Sequence, residues 1–160
     1  MRKVEMSPFY LRRLTLHYPI TVGSKFTKLD LEGVTDYIEF ESLCHALMSR
    51  EGYKDIQPLR GQQDKGRDAI HHDKSTGTDT IFSYSVREDW NNKLDEDLKK
   101  ITTHNHLCDR VVFVTTGCPT TPEKERKQSR VKQQQGWDLE FYDLGRIEAS
   151  HFFPRGRVVF

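Results

Sequence analysis

Four consecutive apolar residues, Val111-Val112-Phe113-Val114, stand between two stretches of helical periodicity. A strand that is apolar on both faces has to be covered on both, so this run belongs in the middle of a layered α/β structure. Upstream, Trp90, Leu94, Leu98 and Ile101 form a helical stripe between Asp89 and Thr103. The pairs Asp95 with Lys99 and Glu96 with Lys100 have the spacing to cover its outer side. Downstream, Thr121 as cap, Pro122 in the first turn and Gly136 at the end bound a basic helix running to Gln135. Trp137 to Tyr142 reads as a further strand, and a last helix starts after Asp143 and stops at Pro154. Alternation of this kind requires parallel crossovers.

The front half differs. Asp36 to Glu51 predicts a helix, with Asp36 and Glu39 at capping-box spacing and Phe40, Leu43, Cys44 and Leu47 on one face. Gly52 closes it. Tyr53 to Leu59 reads as a short strand limited by Pro58. After the polar loop Arg60 to Gly66, Arg67–Asp73 and Thr80–Arg87 have the pattern of a hairpin joined through residues 75–79. In its second strand Phe82, Tyr84 and Val86 share one face, and Ile81, Ser83, Ser85 and Arg87 the other. The expected architecture is a mixed-sheet α/β sandwich. Residues 1–33 read as an irregular extension with short strands near 14–18 and 22–29, residues 34–153 as the core, and 154–160 as a tail. Its apolar end, Val158-Val159-Phe160, predicts further sequence beyond it.

Composition narrows the function classes. The 160 residues hold 25 Lys and Arg against 24 Asp and Glu, a net charge of +1, so any nucleic-acid site has to be local. Aromatic content of 11% supports a folded core despite a mean hydropathy of -0.75. No apolar run reaches membrane-spanning length and the start lacks a signal-peptide core. Three cysteines (Cys44, Cys108, Cys118) without CxxC spacing favour a reducing, cytoplasmic setting over a disulfide framework or a zinc site. No GxxxxGK[ST] loop is present, which argues against nucleotide hydrolysis.

Asp68 is the first candidate for chemistry. A carboxylate at a strand start, beside the glycine turn Lys65-Gly66-Arg67, can hold a hard cation or simply be a solvated turn residue. A helix acid, Glu41, precedes it. A strand with Ser83 and Ser85 at alternate positions follows, and then a helix carrying Lys93. The segments Phe40-Glu41-Ser42-Leu43, Glu51-Gly52-Tyr53, Gly66-Arg67-Asp68-Ala69, Ile81 to Arg87 and Arg110 to Thr115 come in that order. Over residues 36–143 this order resembles the PD-(D/E)XK nucleases, and among them the Mrr-like restriction endonucleases.

The resemblance implies an α/β, restriction-endonuclease-like mixed β-sheet flanked by helices. It implies a Mg²⁺-dependent DNA endonuclease (with Mn²⁺ as the alternative metal), acting on double-stranded DNA within a larger restriction or anti-phage protein that carries further domains after residue 160 or self-associates. Asp68 matches the metal-binding aspartate and Glu41 the supporting acid. The (D/E)-x-K element falls on Ser83-Tyr84-Ser85, where both the second acid and the lysine are replaced. Phosphodiester hydrolysis needs a cation for the developing charge and a cationic group near the attacked phosphate. Lys93 is the expected substitute for the lysine, and Arg87, which stays protonated, a phosphate contact. Lys65 and Arg67 flank the Asp68 loop as further nucleic-acid contacts. Each has a plain alternative: Lys93 and Asp97 at i, i+4 spacing make a surface ion pair, and the serines an ordinary polar sheet face.

Other features are weaker. His104-Asn105-His106 carries the letters of an HNH nuclease, but three adjacent residues cannot form that ββα unit. One of His71 and His72 has to face the Asp68 side. The stretch 123–132 is basic enough to track a phosphate backbone, or to be a solvated helix. Two other classes stay open: a nuclease-fold module that binds DNA or docks partners without cleaving, and a structural or oligomerisation domain.

Overall fold

A computed structural model describes residues 36–59 and 65–152. The expectations for the N-terminal extension, most of the 60–66 loop, the stop at Pro154 and the apolar end lie outside them. Four helices and five strands follow in the expected order. They are α1 (Tyr37–Arg50), β1 (Gln57–Pro58), β2 (Ala69–Asp73), β3 (Thr78–Ser85), α2 (Trp90–Thr103), β4 (Arg110–Thr115), α3 (Thr121–Gln135), β5 (Asp138–Tyr142) and α4 (Leu144–Phe152). The sheet order is β1-β2-β3-β4-β5. The first two pairings are antiparallel, and β3–β4 and β4–β5 are parallel. This is the expected mixed-sheet α/β fold.

The period-2 alternation in β3 sorts the core into two layers. Phe82 and Tyr84 join Phe40, Leu43, Cys44 and Leu47 of α1 and Leu144 and Ile147 of α4. Ile81 joins Leu94, Leu98 and Ile101 of α2 and Val131 of α3 on the opposite face. Both crossover helices lie on that second face, as two right-handed crossovers in one direction dictate. Val111 to Val114 are fully buried between the layers. Deleting one of these side chains to Ala costs about 2–5 kcal/mol in such a setting.

The termini of elements differ from expectation for local reasons. Tyr53–Leu59 contributes only Gln57 and Pro58 to the sheet. Asp55 takes a left-handed φ of 58° and Pro58 has no N–H to give, so pairing stays short and at the edge. The cap of α3 is Thr120 rather than Thr121, because the Glu123 carboxylate accepts the Thr120 N–H at 2.7 Å. The two i, i+4 pairs on α2 are replaced. Asp95 instead accepts from Lys127 at 2.7 Å and from Arg130, so it joins α2 to α3, and Glu96 accepts from Arg87 at 3.1 Å. No helix among the described residues is long and apolar enough to cross a membrane.

Candidate active site

Asp68 sits immediately before β2. Its N–H bonds the Phe82 carbonyl at 2.9 Å, which continues the β2–β3 ladder by one residue and places Asp68 beside the C-terminal half of β3. It is 5% exposed. One carboxylate oxygen accepts from the Tyr37 hydroxyl at 2.6 Å and the other from the Tyr84 backbone N–H at 2.6 Å. Burial pushes this carboxyl up from 3.8 to about 6. The two hydrogen bonds and the Lys93 charge pull it down, and the Asp97 charge pushes it up.

Asp97 is the residue that sequence reasoning left as half of a surface pair. It is 1% exposed, in the body of α2. The Ser83 hydroxyl donates to one of its oxygens at 2.5 Å, and the Lys93 ammonium reaches both at 2.7 Å. Lys93 therefore does pair with Asp97, but the pair lies against the sheet at Ser83. The signal was in the sequence. Positions 94, 97, 98 and 101 form an i, i+3, i+4, i+7 set, and the place at 97 in that buried stripe carries an acid. A carboxylate is kept in such a position only with partners. Tyr37, which donates to Asp68, gave no comparable signal.

A close backbone approach brings the Asp68 loop onto α2. Gly66 has φ +86°, and a Cβ there would lie 2.8 Å from the Asp97 carbonyl oxygen and 2.9 Å from the Lys100 Cβ. Only glycine permits both the φ and the contact. The structure thus brings together Asp68, Ser83, Lys93 and Asp97. Two other expected residues bond elsewhere, and Glu41 acts on the same Cys44 and Tyr84 as Asp68. Ser85 is buried and accepts from the Arg87 N–H at 3.1 Å. Arg87 is at the surface, bonded to Asp89 at 2.7 and 2.5 Å and to Glu96. Glu41 lies on the α1 face, and its charge, with those of Cys44 and Asp68, adds to the burial that raises the Tyr84 phenol far above its ordinary value. One Glu41 oxygen is buried without a hydrogen-bond partner among the described residues, as is the Tyr84 hydroxyl.

The histidines divide as the pleat requires. His71 packs on Tyr53 with ring centroids 5.5 Å apart, on the α1 face. His72 is on the Asp68 face, but its Nδ1 is 2.7 Å from an Asp79 oxygen near the hairpin turn. Four of the five basic side chains of α3 are paired with acids: Lys124 bonds Asp143 at 2.6 Å, Lys127 and Arg130 bond Asp95, and Lys132 bonds Asp138 at 2.8 Å, while Arg126 donates to the Pro122 carbonyl.

The donor set suits a hard divalent cation in kind. Asp97 holds the Lys93 ammonium directly and Asp68 feels its charge, while burial is the main cause that raises the Asp68 carboxyl. Among the described residues no three His, Cys, Asp or Glu side chains come together as a ligand group. Asp68 and Asp97 are the two side chains here that could hold such an ion, a number with which Mg²⁺ would keep waters and substrate phosphate oxygens as its remaining ligands.

No curated protein and no solved structure matches the chain. A family model described as restriction endonuclease, Mrr_cat, matches residues 34–139, about two thirds of the sequence. That span runs from α1 into β5 and includes every residue of the Asp68 cluster. The chain belongs to the Mrr-type restriction endonuclease family of PD-(D/E)XK-like nuclease domains.

Proposed function

We propose that this domain is a Mg²⁺-dependent DNA endonuclease, the cleaving part of a larger cytoplasmic restriction or anti-phage defence protein. The observation that carries the reading is Asp97, which is 1% exposed and is held between Ser83 and Lys93 beside Asp68. In this reading Asp97 supplies from α2 the second carboxylate that β3 lacks, and Lys93 supplies the motif's cation from the preceding turn. Asp68 is the main metal-binding side chain and Asp97 its companion. A divalent cation, when bound, stabilises charge developing on the phosphate and acidifies an attacking water.

The remaining roles belong to the chain itself. Ser83 orients Asp97 by donating to it, and in doing so keeps a place in the site although it is not a ligand-grade carboxylate. Tyr37 and the Tyr84 N–H favour the ionised form of Asp68 against its burial. Lys93 holds a proton and a positive charge next to the two carboxylates, where the attacked phosphate arrives. Glu41 acts from the α1 side as the supporting acid, Ser85 shapes the end of β3, and Lys65 and Arg67 contact the DNA backbone. Arg87 contributes a DNA contact only by exchanging Asp89 and Glu96 for a phosphate.

Plasmid nicking tests this. The wild-type domain should nick supercoiled DNA with Mg²⁺ or Mn²⁺, and Asp68→Ala should abolish nicking while retaining the far-ultraviolet spectrum of the wild type. Unchanged cleavage by Asp68→Ala removes the reading. The serines at the (D/E)-x-K positions favour a second one, a nuclease-fold module that binds DNA or a partner without cutting. It predicts salt-dependent duplex binding with no cleavage in either metal.

A further inference from the structure

Asp97 is already close to saturated by the chain itself. The Ser83 hydroxyl donates to one oxygen at 2.5 Å, and the Lys93 ammonium stands 2.7 Å from both. A carboxylate offers about four lone pairs, so roughly one is left. Yet this is the carboxylate that a divalent cation beside Asp68 would need. Mg²⁺ stands about 2.1 Å from an oxygen ligand, so on either Asp97 oxygen it would lie less than about 5 Å from the Lys93 nitrogen in its present position. A divalent ion and an ammonium that close, around a side chain that is 1% exposed, repel strongly.

The two halves of the ion pair are not equally free to move. Asp97 lies in the body of α2 and is tied to β3 through Ser83. The Gly66 backbone packs on its main chain, where a Cβ would lie 2.8 Å from the Asp97 carbonyl oxygen. Lys93 is near the start of the same helix, and its side chain keeps 20% exposure. Among the described residues its ammonium bonds only Asp97. A flexible four-carbon stem lets that group swing away.

We propose that Lys93 is a resident counter-ion for Asp97, and that it leaves the carboxylate for a DNA phosphate when a divalent cation is bound there. This rests on the nuclease reading and deepens it, because it makes the position of the cationic group depend on the metal. Without metal, the ammonium compensates the buried acid. With metal, the same charge is released beside Asp68, where a phosphate oxygen can accept from it. The domain then presents this cation to DNA only after the metal is in place.

Two measurements without DNA test the exchange. In the wild type with isotope-labelled lysine side chains, NMR reports the Lys93 ammonium, its signal identified by its loss in Lys93→Arg. Held by Asp97, the ammonium is protected from rapid exchange with water, and saturating Mg²⁺ should remove that protection and the signal with it. Calorimetric titration is the second. Lys93→Met should bind Mg²⁺ roughly tenfold more tightly than the wild type. Its melting temperature, below the wild type's in EDTA, should rise further with Mg²⁺ than the wild type's does. An ammonium signal unchanged at saturating Mg²⁺ overturns the exchange, and so does equal or weaker binding by a folded Lys93→Met. Should that variant not fold, the signal in the wild type decides alone. If the exchange fails while the wild type nicks plasmid, the nuclease reading stands without it. A wild type that neither binds Mg²⁺ nor nicks overturns both.

Discussion

Asp68→Asn should stabilise the protein at neutral pH while removing its activity. An ordinary Asp in the unfolded chain loses its proton near 3.8, whereas Asp68 in the fold holds its proton up to about 6. Between those values the unfolded chain has fewer protons than the folded one, so this group lowers stability as pH rises. The difference is a factor of about 10² in the ionisation constant, or about 3 kcal/mol, complete above about pH 7. The amide should fit in place. Its oxygen can accept from the Tyr84 N–H, and its NH₂ can donate to the Tyr37 hydroxyl, which rotates to accept. Other titrating groups are common to both proteins and cancel in the comparison. Urea denaturation of both proteins, in metal-free buffer from pH 4 to pH 8, reads the difference. It should be near zero at pH 4 and grow to about 2–3 kcal/mol in favour of Asn at pH 8. Added Mg²⁺ should then stabilise only the wild type. A difference that does not change with pH, or an Asn variant that is the weaker at pH 8, refutes the reasoning.

Three more outcomes follow from the same cluster. Lys93→Met leaves Asp97 buried without its cation and should cost about 3–5 kcal/mol by chemical denaturation, whereas Lys93→Met/Asp97→Leu should recover most of it. Tyr37→Phe removes a donor to the ionised Asp68, so the acidic limb of the pH–rate profile should move upward; a downward move contradicts the geometry. Gly66→Ala places a Cβ 2.8 Å from the Asp97 carbonyl oxygen at a φ of +86°. It should lower stability by roughly 1–3 kcal/mol, read as a melting-temperature shift, and reduce nicking with it.

The fold was legible because its signals are local. The apolar run Val111–Val114, the helical stripe of α2 and the alternation in β3 each depend on spacing alone. The limits of β1 and the cap of α3 were less so, since they turn on one left-handed residue and one side-chain oxygen. Of the cluster that the fold brings together, Asp68 and Lys93 were named from the sequence as candidates, since they lie in or near short motifs. Asp97 was visible only as a carboxylate in a buried stripe, and its i, i+4 distance from Lys93 supplied a simpler explanation. Whether such a pair is solvated or buried depends on what packs over the helix, here the sheet at Ser83 and the loop at Gly66. Arg87 shows the reverse: sequence puts it on the right strand face, and Asp89 and Glu96 draw it to the surface.

The central claim is that Asp97 serves as the second carboxylate of a metal-dependent nuclease. Nicking of supercoiled plasmid in Mg²⁺ by Asp97→Asn, compared with the wild type at equal DNA occupancy, tests it most directly. The amide can still accept from Ser83, so the variant should fold and bind duplex, and the account predicts that its nicking rate falls at least a hundredfold, about 2.7 kcal/mol in the barrier. Nicking by Asp97→Asn at the wild-type rate would contradict the account.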